Sequence, residues 1–486
     1  MNATPIHEVH RWRAFAVLAV AFFMTVVDLT IVNVALPTIG RKLHFSESNL
    51  QWVITAYGLT FGGFLLLGGR AADLLGRRRI LMVGLALFTG ASLGAGLAAS
   101  SGFLIAMRGL QGLGAAVVLP AALSIVMNMF TEGAERNKAL GIWGGIGAAG
   151  ATIGVITGGL VTRYVGWEYI FFLNVPIGLA AFLLAPRIVP ESRLQDARRR
   201  FDPLGAVTVT GSLLAVVYAI STAPQVGWET TRTIALLATS AILLAAFLIV
   251  ETRVEAPLMP LRIFRNHSVA AANVTGLLLG GSFFGFIFVG TLYMQQVLGY
   301  SALQTGVAWL AASLTSVAFA GLSQALVTRI SSGRVMGFGI ALIGGGVLWA
   351  TQVQAHGHFW SSLLGPFVIT GIGTAFAFIP ISIAGLAGIE EHEAGLASGL
   401  LNTSQQLGGA IGVAIASTIA STHLNTLLAN GDTTRTALTG GFQWALWVCS
   451  AIGLLALPAL PLILKRRSRN RGVTQLVPVA EGDSVN

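Results

Sequence analysis

Charge is what this chain has least of. Only 10% of its 486 residues are Asp, Glu, Lys or Arg, against roughly 25% in an ordinary soluble domain. Its one cysteine, Cys449, excludes internal disulfides, cysteine-rich metal sites and redox pairs, and reads as packing. No Gly-x-x-x-x-Gly-Lys-[Ser/Thr] run occurs, which argues against a built-in ATPase. Gly145-Ile146-Gly147-Ala148-Ala149-Gly150 spells a dinucleotide fingerprint, but it lies inside an apolar run with no strand before it. His356 and His358 have no carboxylate or thiol nearby, so no metal site is expected. An integral membrane enzyme needs His, Asp or Glu gathered near one interface, and a channel needs a filter repeat; neither is visible. The net charge of +10 sits in short clusters between apolar runs, not along one solvated face, which excludes nucleic acid as a partner. No enzyme activity and no cofactor are expected.

What is abundant is apolar surface. Hydrophobic residues make up 54% of the chain, with 60 glycines and a mean hydropathy of +0.77, the composition of a polytopic membrane protein. Apolar runs fall near 12–38, 49–74, 80–99, 102–130, 138–162, 167–187, 203–223, 232–250, 268–298, 302–328, 335–355, 359–388, 395–424 and 438–464, fourteen in all. The first continues for about 25 residues from Trp12 without a small-residue cleavage site, so it reads as a signal anchor and first span. An even number of spans puts both termini on the cytoplasmic side. On that topology 23 of the 29 Lys and Arg fall inside and five outside, as the positive-inside rule requires. The inner loop around Glu390 to Glu393 is the exception, being acidic without Lys or Arg.

Glycines recur in the fifth run (Gly141, Gly145, Gly150, Gly154, Gly158, Gly159) and the thirteenth (Gly395, Gly399, Gly408, Gly409, Gly412). They fall at equivalent places if six spans form each half and spans seven and eight are an insert, the layout of a secondary transporter. The expected organisation is an all-α membrane fold. A six-helix half occupies 12–190, an inserted pair 200–255, a second half 266–465 and a cytoplasmic tail 466–486.

Three features carry chemistry. Asp28 is the one acid well inside a span, in the run Met24 to Pro37, where a carboxylate needs a partner, a wet cavity or a bound proton. Arg108 is the one base well inside a span. Counted from the outer ends, they lie roughly 14 and 10 Å deep at 1.5 Å per residue, within about one turn of each other. After the second span comes Gly69-Arg70-Ala71-Ala72-Asp73-Leu74-Leu75-Gly76-Arg77-Arg78-Arg79. Asp73 there stands at a helix C-terminus, where the macrodipole disfavours an anion unless a cation or another helix's N-terminus answers it. A reversible clamp follows from that requirement.

This stretch resembles the loop signature of the major facilitator superfamily, Gly-x-Leu-Ala-Asp-x-x-Gly-Arg-Arg, with Ala71 in place of Leu. The run from Asp28 to Pro37 resembles the first-span signature of the 14-span drug:proton antiporters of that superfamily. Arg108 to Gly114 resembles their fourth-span motif, and Gly166 to Gly178 the start of their sixth span. Two departures stand out. The fifth-span signature Gly-x-x-x-Gly-Pro-x-x-Gly-Gly has Val155 where proline is usual, and Glu168 replaces a basic residue. Loss of the proline removes the cause of a kink. The glycines at i, i+4 and i+8 still admit a close helix neighbour.

The resemblance implies a major facilitator fold and proton-driven efflux of hydrophobic or amphipathic, drug-like compounds across the cytoplasmic membrane, with the proton gradient as energy source. Asp28 would carry the proton, and Arg108, on a neighbouring helix in that fold, would tune it. Gly69, Asp73, Gly76, Arg77, Arg78, Gly150, Gly154, Gly158 and Gly159 would govern the conformational switch. Candidate cavity residues are Asn33, Gln51, Trp52, Tyr57, Gln111, Phe284, Phe288, Tyr293, Gln295 and Gln296, whose amide and aromatic groups suit amphipathic molecules. Function as a monomer is expected. Dedicated export of one metabolite, lipid or peptide stays open beside multidrug export, and so does the substrate's charge.

Overall fold

Apolar segments of this length can enter a bilayer only if they satisfy their own backbone hydrogen bonds, which leaves helices as the solution. The computed structural model describes residues 8–45, 50, 52–130, 134–191, 202–254, 257–389 and 394–461. Fourteen long helical segments follow one another: α1 (Glu8–Lys42), α2 (Trp52–Leu75), α3 (Arg77–Gly96), α4 (Ser101–Met129), α5 (Ala134–Tyr164) and α6 (Tyr169–Ile188, interrupted at Leu173). Then come α7 (Pro203–Val226), α8 (Thr231–Arg253), α9 (His267–Leu292), α10 (Ala302–Arg329), α11 (Ser332–Ala350), α12 (Leu364–Gly385), α13 (Ala394–Ala429) and α14 (Thr434–Leu454). Among the described residues, thirteen of these segments are long and apolar enough to cross a membrane. The glycines of α5 let it approach its neighbours closely.

Local chemistry sets the ends. Ser100, Asp202, Thr230, Ser301 and Thr433 accept hydrogen bonds from backbone amides of the first turn, as N-caps do. Gly76 separates α2 from α3 with φ at 107°, a conformation that favours glycine. Its missing side chain also leaves room for Glu191, whose carboxylate accepts from the Arg78 backbone N–H at 3.2 Å.

Two main cores result. One gathers α1 to α6 around Phe88, Leu18 and Met24, and takes in a few residues of α7, α8 and α13. The other gathers α9 to α14 around Phe286, Phe367 and Tyr293. The seam between them has a repeated form, with α5 against α10 and α2 against α13. In each group the fifth helix presses glycines onto the first. A side chain on Gly158 would lie 2.5 Å from the Ile31 carbonyl of α1, and one on Gly408 would strike the Leu277 carbonyl of α9. The fourth helices match too, each with a buried internal proline, Pro120 in α4 and Pro380 in α12.

The hairpin α7–α8 lies outside both groups. Leu214 of α7 fills the space beside Gly63 of α2, and Trp228 donates to the Thr418 hydroxyl of α13 at 2.8 Å. Helix α7 therefore runs along the α2–α13 seam. Helix α8 rests on α7 and exposes Ile234, Ile242, Leu244 and Ile249, the apolar surface a bilayer covers.

Candidate functional site

Asp28 and Arg108, 80 residues apart in sequence, form a fully buried ion pair, with Arg108 Nη1 2.5 Å from Asp28 Oδ2. A carboxylate at this depth persists only when its oxygens are answered. Asp28 Oδ1 accepts from Gln111 Nε2 at 3.1 Å and from Asn174 Nδ2 at 2.8 Å. Gln111 also donates to the Ser92 hydroxyl at 2.7 Å and accepts from Arg108 at 3.0 Å. Arg108 Nε donates to the Val53 carbonyl at 2.9 Å. The guanidinium stands 4.4 Å from the centre of the Tyr57 ring and 5.8 Å from that of Phe171, favourable cation–π placements. The cluster thus joins α1, α2, α3, α4 and α6.

Arg108 holds several partners besides the carboxylate: a carbonyl, an amide oxygen and two ring faces. Neutralising Asp28 would leave the guanidinium still hydrogen-bonded, which makes a change of charge at Asp28 tolerable in place. Behind α1, Gly150, Gly154 and Gly158 of α5 face Val26, Val27 and Ile31. The i, i+4, i+8 stripe therefore lies against the helix that carries Asp28, and α5 runs without a break from Ala134 to Tyr164.

The second cluster sits at the other end of α2, about 30 Å from Val53 by helix rise. Asp73 Oδ1 is 3.0 Å from Arg77 Nη2 and accepts from Arg77 Nε at 3.1 Å and from Ser124 at 3.4 Å. Its other oxygen accepts the backbone N–H of Leu396 at 3.0 Å, in the first turn of α13. Both kinds of answer that a C-terminal carboxylate requires are present, a cation and another helix's N-terminus. The carboxylate ties the first six-helix group to the second. Arg78 pairs with Glu191 at 3.5 Å and donates to the carbonyls of Pro186 and Val189, both at 3.2 Å, which fixes the end of α6. Gly69 is buried in α2, and Gly159 faces Leu303 of α10.

The proposed cavity residues do not form one lining. Tyr57 and Gln111 are fully buried and belong to the Asp28–Arg108 cluster. Tyr293 is buried with its hydroxyl donating to the Gln354 carbonyl at 2.7 Å. Trp52 packs on Tyr218 of α7, ring centres 5.4 Å apart, because the inserted hairpin covers that side of α2. Phe284 lies against Gly409 of α13, and Phe288 packs at the edge of the second core. Asn33, Gln295 and Gln296 are exposed; Asn33 donates to the Leu29 carbonyl of its own helix at 3.0 Å. Gln51 lies outside the described residues, as does the tail 466–486.

Sequence reasoning missed Asn174 and Ser92 as partners in the cluster. An asparagine inside an apolar run was the available signal for the first; a serine at helical spacing gives almost none. The second group encloses aromatic rings instead, with Trp309 stacked on Phe367 at 4.1 Å and Phe286 5.4 Å from Trp309.

Comparison with known proteins agrees with this architecture. The family model described as Major Facilitator Superfamily matches residues 18–413. The chain is 37% identical over 457 residues to the puromycin resistance protein pur8 of Streptomyces alboniger, covering 93% of this chain and 90% of that protein. It is 35% identical over 472 residues to the cephamycin export protein CmcT of Amycolatopsis lactamdurans, covering 96% of each. A third relative, 33% identical over 404 residues, is the tetracenomycin C resistance and export protein of Streptomyces glaucescens, with 83% of this chain and 75% of that protein covered. Among solved structures, the human organic anion transporter MFSD10 superposes with a TM-score of 0.66 at 14% identity, over 93% of this chain and 99% of that one, a likeness of fold. The chain, a multi-pass membrane protein, belongs to the Major Facilitator Superfamily.

Proposed function

We propose that this protein exports hydrophobic or amphipathic small molecules across the cytoplasmic membrane in exchange for protons, by alternating access. The observation that carries the reading is the sealed Asp28–Arg108 pair, an ionisable couple set among apolar helices with substitute partners ready for the arginine. The direction of transport rests on the relatives, whose names speak of resistance and export.

The sequence of events follows from charge. With Asp28 ionised, attraction to Arg108 holds α1 against α4. A proton arriving on Asp28 removes that attraction. Arg108 stays bonded to Val53 and Gln111 while α1, free of the ion pair, shifts along the glycine face of α5. Opening toward the cytoplasm must also part Asp73 from the first turn of α13, since that contact bridges the two groups. Helix α2 reaches both clusters and is the mechanical link between them. Both termini lie in the cytoplasm on this reading, and the monomer contains all the parts described.

A second reading, dedicated export of one natural product, is favoured by three relatives named for single compounds. Transport of cationic, neutral and anionic dyes into everted vesicles separates the two by substrate range. The same assay tests the coupling site. With an imposed pH gradient, Asp28→Asn is expected to abolish gradient-driven uptake of every transported dye. Wild-type rates and pH dependence in that variant would contradict the assignment.

A further inference from the structure

The inserted hairpin carries two acids that none of the above uses. Asp202, the N-cap of α7, and Glu251, in the last turn of α8, are 4% and 5% exposed. They meet across Gly205. A side chain on that glycine would strike Asp202 Oδ2 and lie 3.0 Å from Glu251 Oε1, so the two oxygens border the same small space. Asp202 Oδ1 accepts from the Gly205 N–H at 2.8 Å, its capping bond. Glu251 accepts the backbone N–H of Leu258 on Oε1 and of Met259 on Oε2, both at 3.1 Å. Asp202 Oδ2 is buried and has no hydrogen-bond partner among the described residues, and it points into the space that Glu251 borders.

Two ionised carboxylates sharing one buried space repel each other, and an oxygen with no donor loses its hydration without compensation. A single proton held between them removes both penalties, since it cancels one charge and supplies the donor that Asp202 Oδ2 lacks. Among the described residues, Arg70 of α2, whose Nη2 donates to the Pro257 carbonyl at 3.0 Å, lies within electrostatic reach of Glu251. No group of three or more His, Cys, Asp or Glu that could hold a metal ion occurs among the described residues.

We infer that Asp202 and Glu251 share one proton and form a second protonation site, seated in the inserted hairpin and distinct from Asp28. Its position gives the hairpin a role. Arg70 lies within electrostatic reach of both Glu251 and Asp73, so the charge of the site is felt at the carboxylate that ties α2 to α13. The arginine pattern assigns this end of the molecule to the cytoplasm, and the site therefore responds to cytoplasmic pH.

Infrared spectroscopy of the purified full-length protein, with glutamate carboxyls labelled with carbon-13, tests this without measuring transport. Glu251 is the one buried glutamate among the described residues whose exposure is known. At neutral pH the wild-type protein is expected to show a protonated-carboxyl band that shifts with the glutamate label and disappears as pH is raised. Asp202→Asn keeps a good N-cap but removes one of the two sharing oxygens, and there the neutral-pH band is expected to be lost. Absence of a label-sensitive band in the wild type overturns the proposal, and the wild-type result stands alone if the variant does not fold. A band that survives unchanged in Asp202→Asn overturns the sharing.

Discussion

In the first six helices α5 presses its glycines onto α1, and in the last six α13 presses its glycines onto α9. The fourth helix of each group carries a buried proline, and the two seams pair α5 with α10 and α13 with α2. The side chains enclosed by this shared packing differ in kind. The first group encloses Asp28, Arg108, Gln111 and Asn174. The second encloses Phe286, Trp309 and Phe367, and its α9 and α12 contain no Asp, Glu, Lys or Arg. Backbone approach is thus common to the two groups, while the enclosed ion pair belongs to the first. A repeat that keeps helix contacts and replaces the enclosed side chains leaves one half with an ionisable centre and the other with an apolar one.

The largest expected contrast lies between those two centres. Arg108→Ala leaves Asp28 buried without its cation, a loss of about 3–5 kcal/mol in typical buried pairs. Phe286→Leu keeps most of the volume and gives up ring contacts, a loss of about 1.5 kcal/mol or less. Thermal unfolding of both variants in the same detergent checks the order, and equal losses would remove the distinction between a charged and an apolar centre.

The seams give the next contrast. Asp73 accepts from Leu396 across the α2–α13 seam, whereas at the α5–α10 seam Gly141 faces the neutral Gln324. Asp73→Asn surrenders the charge on that contact, about 1.5–3 kcal/mol for hydrogen bonds to a charged group. A cysteine replacing the buried Ser398 of α13 is then expected to react with a thiol reagent about tenfold faster or more. Native Cys449 is fully buried and serves as the slow control. Gln324→Ala should leave the reactivity within a fewfold of the parent.

The smallest effect sharpens what the groups have in common. Gly158→Ala and Gly408→Ala each drive a methyl group into a backbone carbonyl, Ile31 in one case and Leu277 in the other. Losses of about 1–3 kcal/mol are expected for both, as for other overpacked contacts. Unfolding midpoints of the pair should fall together, and a shift in only one would mean that the packing is not shared.

Much of this was legible in the residues. The fourteen apolar runs match the fourteen long helices in order. The depths of Asp28 and Arg108, alike within about one turn, anticipated their contact, and the unanswered dipole at Asp73 anticipated a partner such as the first turn of α13. Rotation about each helix axis was not legible. In soluble helices a polar stripe marks the outer face, but these helices are apolar nearly all round, so depth could be counted while direction could not. Tyr57 and Gln111 turn toward the Asp28–Arg108 cluster and Trp52 toward Tyr218 of α7, directions that depth alone does not give. The inserted hairpin was legible as an extra pair of spans, but what it touches was not, for a related reason. Its key contacts, Leu214 beside Gly63 and Asp202 beside Glu251, join residues whose sequence neighbours carry no signal of the pairing.

The central claim is that the proton moved during transport binds Asp28. It is tested most directly by acidifying the interior of everted vesicles and adding a transported substrate, while a pH-sensitive dye reports the interior. Wild-type protein is expected to release protons on substrate addition and so to raise the interior pH, and Asp28→Asn is expected to leave it unchanged. Substrate-dependent proton release from Asp28→Asn at the wild-type rate would contradict the account.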